Sequence, residues 1–430
     1  MIRRISIPRC PGSLFPSLMA AACLLFFAGQ AHGQEALRMS LAGDLAAQSQ
    51  RQAENTIGYY NLLWGPVAWR FSSGLELDYN DNVRLQSQNQ EGDFIVRPNL
   101  NTKMHWPVTQ KNSLDVVLGA GYSLYASHSE LNRFYVNPGS GLSFNIYAGD
   151  CVINLHDRIS ITENAYQNPT ANGNVNYEQL ENTAGTSALG DLNKLMAQLG
   201  YDHGNNISLG SSQQFPDTTS ENWSLYAGVH FLPEITAGVE GGFGLISYDQ
   251  NQSTAIQPDA MQWNAGMFCK AQISKHISGR LDAGYTVYTT STTGAFTRSS
   301  SMGSMYFQFS VSHQVNRFLN YSLSAGRSTE STSYGQPVDQ YFVRLQPSCN
   351  IFRKYQLSTP FWWKKGTQLY ARGGATGTDY NQYGAGINIS HAITQKLSGS
   401  LAYQLIRESS GQSSLNYTVN IVSLNFSYQF

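Results

Sequence analysis

From Trp69 to Phe430, apolar and polar residues alternate with a period of two through one segment after another. Successive side chains of a β-strand point to opposite faces of a sheet, so each segment predicts a strand with one apolar and one polar face. No apolar run in this region is long enough for a transmembrane helix. A representative segment alternates Leu114, Val116, Leu118, Ala120, Tyr122 and Leu124 with Ser113, Asp115, Gly119, Gly121 and Ser123.

The length of these segments distinguishes between two all-β folds. Strands of a soluble sandwich commonly have about five or six residues, whereas these segments continue for about ten or more, the length that crosses a membrane at a tilt. Aromatic residues also concentrate near segment ends, as Trp69 and Tyr79 do, which is typical of the girdles at the two membrane surfaces. The sequence therefore predicts a transmembrane antiparallel up-and-down β-barrel.

Eighteen strands can be counted, with sixteen as the alternative because the alternation is irregular around residues 136–150, 180–195 and 353–381. Short connections alternate with longer polar ones, and the even count places both termini at the same, periplasmic side. The predicted strands begin near residues 68, 94, 113, 134, 152, 180, 194, 222, 235, 261, 278, 303, 320, 341, 356, 382, 396 and 416.

The C-terminus ends in the middle of an alternating segment, on an aromatic residue. Val422, Leu424, Phe426, Tyr428 and Phe430 form its apolar face. An unpaired apolar edge invites aggregation, so the pattern predicts that this strand closes a barrel against the first strand. A terminal phenylalanine also resembles the signal that outer-membrane proteins present to the insertion machinery, which makes Phe430 the expected insertion signal.

The N-terminus has the layout of a secretory signal peptide over residues 1–33. Arg3, Arg4 and Arg9 precede a short apolar stretch, and Ala31-His32-Gly33 offers small residues for cleavage before Gln34. Cys23 lies inside the apolar stretch instead of closing it, which argues against lipidation. Residues 34–65 are expected to form a short helical or irregular periplasmic segment, a possible docking site for a partner, and residues 66–430 form the barrel.

Composition narrows the function classes. Only 13% of the residues are charged while mean hydropathy is −0.31, which fits a wall with one apolar and one wet face. Without Arg3, Arg4 and Arg9, 24 of the 27 Lys and Arg residues remain against 28 Asp and Glu, so no basic face for nucleic acid is expected. Metal-ligand spacings and phosphate loops are missing from the sequence, and we expect no cofactor. The later cysteines, Cys151, Cys269 and Cys349, form no disulfide framework.

Charged residues in the polar register predict a wet lumen. Charge on one face of a membrane strand is costly unless that face is in water, and sixteen or eighteen strands enclose an aqueous channel. Both signs occur, which predicts at most a modest cation preference. The alternative is that the charges pair across the wall and only stiffen it. The predicted pore-lining residues are Arg70, Glu76, Asp78, Arg97, Lys103, Asp115, Glu240, Lys270, Arg280, Asp282 and Arg344.

An enzymatic barrel is the alternative that the histidines raise. His313 and His391 fall in the outward register, but their neighbours Ser312 and Ser390 point the opposite way, so a lipid-facing catalytic group is not expected. Histidines at the membrane rim explain the pattern more simply, and no paired acidic motif indicates a protease. We therefore expect a protein that is not an enzyme.

Several motifs resemble the β-barrel porin family, type 2. The resemblance covers nearly the whole chain after residue 33, and it implies a porin-like barrel in the outer membrane, without catalytic residues or a defined substrate. The motifs are Leu63-Trp64-Gly65-Pro66-Val67, Tyr79-Asn80-Asp81-Asn82-Val83, Glu181-Asn182-Thr183-Ala184-Gly185, Leu192-Asn193-Lys194-Leu195, Gly200-Tyr201-Asp202-His203 and Phe430.

The leading functional hypothesis is a channel for passive or weakly selective diffusion of small hydrophilic solutes across the outer membrane. Two alternatives remain open: a channel that exports a surface polysaccharide, and a structural or adhesive barrel. The expected partners are outer-membrane lipid, the insertion machinery and, for an exporter, a periplasmic protein at residues 34–65.

Overall fold

The structure is a computed structural model that describes residues 60–162, 178–209, 216–249, 258–291, 301–331, 337–351, 354–368, 379–411 and 413–430. The predicted signal peptide and most of the predicted periplasmic segment, residues 34–59, lie outside the described residues. Within the described ranges no helix is long and apolar enough to cross a bilayer. The only helical turns described are the 3-10 turns Ser129–Leu131 and Ser413–Leu415.

Twenty strands form one antiparallel sheet that closes on itself. They are β1 (Leu62–Trp64), β2 (Val67–Asn80), β3 (Asp93–Pro107), β4 (Asn112–Tyr125), β5 (Arg133–Ala148), β6 (Cys151–Thr162), β7 (Gln179–Asp191), β8 (Leu195–Ser208), β9 (Thr218–Leu232), β10 (Ile235–Tyr248), β11 (Ala260–Ser274), β12 (Ile277–Thr290), β13 (Ser301–Gln314), β14 (Leu319–Ser331), β15 (Pro337–Ile351), β16 (Tyr355–Ser358), β17 (Phe361–Gln368), β18 (Asp379–Ala392), β19 (Leu397–Ser410) and β20 (Tyr417–Gln429).

These strands make eighteen crossings, because β1 is a short addition and β16 and β17 are two parts of one crossing. Each crossing pairs with the next, and β2 pairs with β20 from Ser72↔Gln429 to Asn80↔Ile421 to close the barrel. The prediction of eighteen strands and of a closing C-terminal strand is confirmed. Each crossing starts within four residues of its predicted position.

Both described termini lie at one end of the barrel, together with short turns such as Val108–Lys111 and Pro233-Glu234. This is the arrangement predicted from the alternation of short and long connections, and we call this end periplasmic and the other extracellular. The observed barrel agrees with the porin-like fold that the family resemblance implies.

The outward face is apolar and exposed. Leu118 is 44% exposed and Met267 is 66% exposed. An apolar surface this large would be unfavourable in water, but it is favourable in contact with lipid. Aromatic rings pair near the two ends of the wall: Trp69 and Phe71 stack at the periplasmic end, with ring centroids 5.7 Å apart. Tyr79 and Phe94 contact each other at the extracellular end. This is the predicted girdle pattern.

Two of the three irregular regions have a local cause. In β5 the pairing shifts between Val136 and Ser140, around Pro138 and Gly139, and Gly139 has a φ of +92° that favours glycine. The crossing formed by β16 and β17 is interrupted at Thr359-Pro360, where proline cannot donate to the ladder. By contrast, residues 180–191 lie in the continuous strand β7. Their small side chains weaken the hydrophobic alternation without breaking the strand.

The barrel seam contains an element that the alternation did not predict. Strand β1 lies within the predicted periplasmic segment, yet it pairs with the start of β2 through Leu62↔Trp69 and Trp64↔Val67. The side-chain carboxamide of Asn61 also donates from Nδ2 to the Phe71 carbonyl at 2.7 Å and accepts from the Phe71 N–H at Oδ1 at 3.0 Å. Since the β20 ladder reaches only Ser72, β1 covers the part of β2 that β20 leaves unpaired.

Candidate functional site

All eleven residues predicted to line the pore lie on the inward face. The pairing register fixes this, because cross-strand partners share a face and each of these residues is flanked by residues of the opposite, lipid-facing register. Their surroundings differ, however. They form two buried charge clusters, one histidine–aspartate pair and a set of cations without a described acidic partner.

The first cluster lies in the extracellular half of β2–β4. The Arg97 guanidinium forms an ion pair with Asp78, whose residue is 3% exposed, and its Nη1 lies 3.9 Å from Glu76 Oε1. Its Nε donates to Ser123 Oγ at 3.2 Å. Arg97 and Glu76 are direct cross-strand partners, so the antiparallel register itself brings opposite charges together.

The second cluster spans β10–β13. Arg280 Nε donates to Asp282 Oδ1 at 2.7 Å, and Arg280 Nη2 lies 3.4 Å from Glu240 Oε2. The Tyr306 hydroxyl donates to Glu240 Oε1 at 2.6 Å. Phe268 lies beneath the guanidinium, 5.5 Å from ring centroid to Cζ. Both carboxylates are buried, and a buried charge is tolerated only when it is paired and hydrogen-bonded.

Two glycines make room for the tyrosine of this cluster. A Cβ added at Gly266 would collide with the Tyr306 hydroxyl, and one added at Gly284 would collide with the backbone of β11 and with the Tyr306 ring. The small residues of the inward face therefore have a packing role here: they allow a large aromatic side chain to lie flat against the wall.

At the periplasmic end of β3 and β4, His105 Nδ1 lies 2.6 Å from Asp115 Oδ1. The remaining inward cations are different. Within the described chain, no acidic side chain lies within 4 Å of the cationic groups of Arg70, Lys103, Lys270 or Arg344. Arg70 and Lys103 are direct cross-strand neighbours, so two like charges lie side by side.

These placements change the expected field in the lumen. Each predicted acid lies beside a basic side chain, but Glu76 and Asp78 share Arg97, Glu240 and Asp282 share Arg280, and Asp115 contacts His105. The alternative in which charges pair across the wall therefore describes the acids but not all of the cations. Among the predicted residues, the net unbalanced charge is positive.

A folded extracellular loop was not predicted from the sequence. Residues 81–92 connect β2 to β3, and Leu85, which is 4% exposed, packs on the inward side chains Ile406, Tyr417 and Val419 of the opposite side of the seam. Asn82 is fully buried and donates to the Thr418 carbonyl at 3.1 Å. The loop therefore lies against the inner wall at the extracellular mouth and narrows it.

Charged contacts hold this loop to the next extracellular connection. Arg84 lies 3.0 Å from Glu91 and 2.5 Å from Glu130, and His128 lies 3.2 Å from Glu91 and 2.9 Å from Asp93. The hydrogen bond to Asp93 raises the pKa of His128 above its usual value of 6.5. Protonated His128 therefore stabilises the folded loop, fully below pH 6.5. This contribution is lost as the pH rises through the pKa that His128 has in the folded protein.

Glu408 belongs to a buried inward group behind this loop that was not among the predicted residues. Its carboxylate accepts from Gln382 Nε2 at 2.9 Å and from the Tyr417 hydroxyl at 3.1 Å. The alternation of β19 could have revealed it, because Glu408 continues the inward register of Gln404. Strand pairing then explains the contacts, since Gln382 and Tyr417 are its two direct cross-strand partners.

A cavity of about 620 Å³ opens at the periplasmic end of the lumen, between β11 and β18. Carboxamide and hydroxyl side chains dominate its wall, and no carboxylate lines it within the described chain. Its lining comprises Gln272, Lys275, His276, Ser278, Ser312, His313, Gln314, Asn320, Tyr321, Ser322, Gln346, Ser348, Gln356, Ser358, Asn388 and Ser390.

The histidines of the outward register lie where the alternation placed them. His313 Nδ1 lies 3.2 Å from the Tyr321 hydroxyl, and His391 stacks on Tyr355. Ser312 and Ser390 lie in the opposite, inward register, as the alternation predicted, and line the lumenal cavity, which His313 also borders at its periplasmic rim.

Phe430 is half-exposed beyond the end of β20, and its N–H lies 3.4 Å from the Phe71 carbonyl across the seam. The terminal residue therefore lies at the junction of the last strand and the first. Three free cysteines, Cys151, Cys269 and Cys349, are half-buried in the wall, in agreement with the expectation that they form no disulfide framework.

No family model and no curated protein matches the chain. It is similar to solved structures of OccAB3 from Acinetobacter baumannii (11% identity, covering 84% of this chain and 99% of that chain, TM-score 0.48) and of OccK7 (OpdD) from Pseudomonas aeruginosa (10%, 85% and 99%, TM-score 0.48). OpdQ from Pseudomonas aeruginosa is also similar (9%, 84% and 99%, TM-score 0.47). Similarity at this level does not establish a family, and the functional evidence comes from the geometry of the barrel itself.

Proposed function

We propose that this protein is an outer-membrane channel for passive or weakly selective diffusion of small hydrophilic solutes. The main support is an eighteen-crossing closed barrel whose outward face is apolar and whose inward face bears cations without an acidic partner in the described chain. A barrel of this size is too wide to be filled by its own side chains. Charge without a described counter-ion, as at Arg70 and Lys103, is inexpensive only where water reaches it.

The periplasmic cavity supports hydrophilic, mainly uncharged or anionic solutes. Carboxamides and hydroxyls both donate and accept hydrogen bonds, so they can replace the water that a polar solute loses in a narrow passage. A small cation would find no carboxylate among the described residues of this wall. The neighbouring Lys275 and His276 would favour a partial negative charge on the solute.

Conductance of the purified protein in a planar bilayer tests the proposal. We expect stable, ohmic openings, because the lumen carries charge that water reaches. Liposome swelling with small sugars should show uptake of uncharged solutes. Closure until a periplasmic protein is added would favour the export alternative. Absence of conductance from inserted protein that lacks residues 34–59 but keeps β1 would indicate a structural barrel and contradict the proposal.

We further propose that cleavage near Gly33 releases the mature chain and that the part of residues 34–65 that precedes β1 can bind a periplasmic partner. Mass spectrometry of the membrane-inserted protein should show a chain that begins at Gln34. The support is the arrangement of Arg3, Arg4 and the Ala31-His32-Gly33 stretch. A mature chain that still carries the apolar stretch would contradict the cleavage site.

Phe430 is proposed to signal to the insertion machinery. It is exposed at the seam, where its ring contacts Tyr428 edge-on at 5.5 Å between centroids and can reach a partner before closure. Deleting Phe430 should slow assembly and leave precursor in the periplasm, measured as loss of heat-modifiable barrel in a pulse-chase. Phe318→Ala, in a turn at the same end, is the control and should assemble at the normal rate. Equal rates for both variants would contradict the role of Phe430.

A further inference from the structure

The outward face carries very few cations, and those of the described strands lie together. Twelve Lys or Arg residues lie in the described strands, and nine of them face inward. The other three, Arg327, Lys365 and Arg407, face outward on β14, β17 and β19. Each is close to the extracellular end of its strand. We call these three residues the outer cationic patch.

The pairing register makes this patch continuous. Arg327 pairs with Tyr341, which pairs with Lys365, so one row crosses three neighbouring strands. Arg407 pairs with Tyr383, which lies two residues from Asn381, the partner of Lys365 on β18. Strands lie about 4.8 Å apart and rise about 3.4 Å per residue, so the Cα atoms of Lys365 and Arg407 lie about 12 Å apart.

Aromatic residues separate the cations, as at a membrane surface. Tyr341, Trp363 and Tyr383 share the outward face with them. The Trp363 indole N–H donates to Asn381 Oδ1 at 2.6 Å, which satisfies its polar end within the wall. Amphipathic rings prefer the boundary between hydrocarbon and headgroups. The patch therefore lies at the level of the outer-leaflet headgroups.

Only one cation of the patch has an acidic partner in the described chain. Arg327 donates from Nε to Asp339 Oδ1 at 3.0 Å and from Nη2 to Asp339 Oδ2 at 2.5 Å. Lys365 and Arg407 are exposed, and no described acidic side chain lies within 4 Å of either, including Asp379 at the start of β18. At headgroup depth an outward Lys or Arg costs far less than at the bilayer midplane, so both side chains can stay charged there and bind an anion supplied from outside the chain.

We propose that the outer cationic patch binds the phosphate groups of an anionic lipid in the outer leaflet. The acyl chains would lie along the apolar wall below, while the Lys365 ammonium and the Arg407 guanidinium would contact phosphate oxygens. A second copy of the chain fits less well. An outward carboxylate that it could offer, Glu221, is already engaged by the Tyr201 hydroxyl at 2.6 Å and by His203 at 2.8 Å.

Native mass spectrometry of the detergent-solubilised full-length protein tests this, with diphosphorylated lipid A as the probe and phosphatidylcholine as the comparison lipid. A cation near an anionic lipid surface is worth about a fivefold change in binding. Lys365→Gln combined with Arg407→Gln should therefore weaken lipid A binding by roughly twentyfold and leave phosphatidylcholine binding unchanged. The matched control is Lys111→Gln with Lys396→Gln, two exposed lysines in periplasmic turns.

Heat-modifiability of each variant shows first that its barrel is folded. Unchanged lipid A binding by the folded Lys365/Arg407 double variant would overturn the proposal. Displacement of lipid A by millimolar inorganic phosphate would overturn it too, because the site would then recognise a free anion. A dimer that dissociates in the double variant, without any lipid dependence, would assign the patch to a second copy instead.

Discussion

Leu118→Arg should destabilise the folded barrel by about 2–4 kcal/mol, the cost of a cation at the bilayer midplane on the lipid face. Leu118 is the seventh of fourteen residues in β4, faces outward and is 44% exposed to the lipid side. From this depth the arginine side chain cannot easily extend to either membrane surface. Equilibrium unfolding in urea, in lipid vesicles, measures the change in the free energy of unfolding.

The neighbouring inward glycine is a poor control. A Cβ at Gly119 would collide with the side chains of Asn101 and Asn137, so any larger residue there would disturb the wall. Leu401 and Ala402 on β19 form a better matched pair. Leu401 faces outward, while Ala402 faces the lumen, where its cross-strand partners are polar. Leu401→Arg should be costly and Ala402→Arg mild, and the reverse order would show that the faces are assigned wrongly.

The faces could be predicted because alternation depends only on the two-residue period of a strand. Neighbouring residues alone place Leu118 and Arg97 on their correct faces. Strand starts were also close, because turn residues interrupt the pattern. The irregular alternation around β16 and β17 reflects a real local feature, the interruption at Pro360.

Contacts between strands could not be predicted in the same way. Arg280 contacts Asp282 on its own strand, which the sequence suggests, but its contact with Glu240 requires the register of two strand pairs. Shifting one pair by one residue would turn Glu240 to the lipid. The pairing therefore converts a set of inward charges into separate clusters with different surroundings.

The folded loop escaped prediction for another reason. Residues 81–92 have no period, and Leu85 reaches its partners Ile406 and Val419 only because β20 closes against β2. Leu85 also has a φ of +53°, a left-handed conformation that is uncommon for a residue other than glycine. Burial of the Leu85 side chain offsets the cost of this backbone conformation. That burial depends on residues distant in sequence, so no local sequence pattern could predict it.

Ion selectivity should follow the inward cations that lack an acidic partner in the described chain. Six predicted lumenal cations face five predicted acids, and four of these cations have no acidic partner in the described chain. The structure therefore favours a modest anion preference, where the balance of residue types alone predicted at most a modest cation preference. Substituting Glu76, Asp78 and Asp282 together is a poor test. Asp78 and Asp282 are buried partners of arginines, and removing them would leave buried charge uncompensated and destabilise the barrel.

Arg70→Gln combined with Lys103→Gln should shift the reversal potential in a salt gradient towards cations. The two side chains are adjacent on the inward face near the periplasmic end, so together they attract anions to one place in the lumen. Removing them breaks no ion pair in the described chain, and we expect barrel stability to change little. The measurement is the zero-current potential of single channels across a tenfold KCl gradient.

The reciprocal exchange, Arg70→Lys with Lys103→Arg, is the matched control, because it keeps both charges and changes only their shape. It should leave the reversal potential where it is in the unmodified channel. The shift in the glutamine variant should also shrink in concentrated salt, since the screening length falls from about 10 Å at 0.1 M to about 3 Å at 1 M. A reversal potential that is identical in the glutamine variant and the control would show that ions do not pass beside Arg70 and Lys103. The conduction path would then have to lie along the neutral wall of carboxamides and serines between β11 and β18.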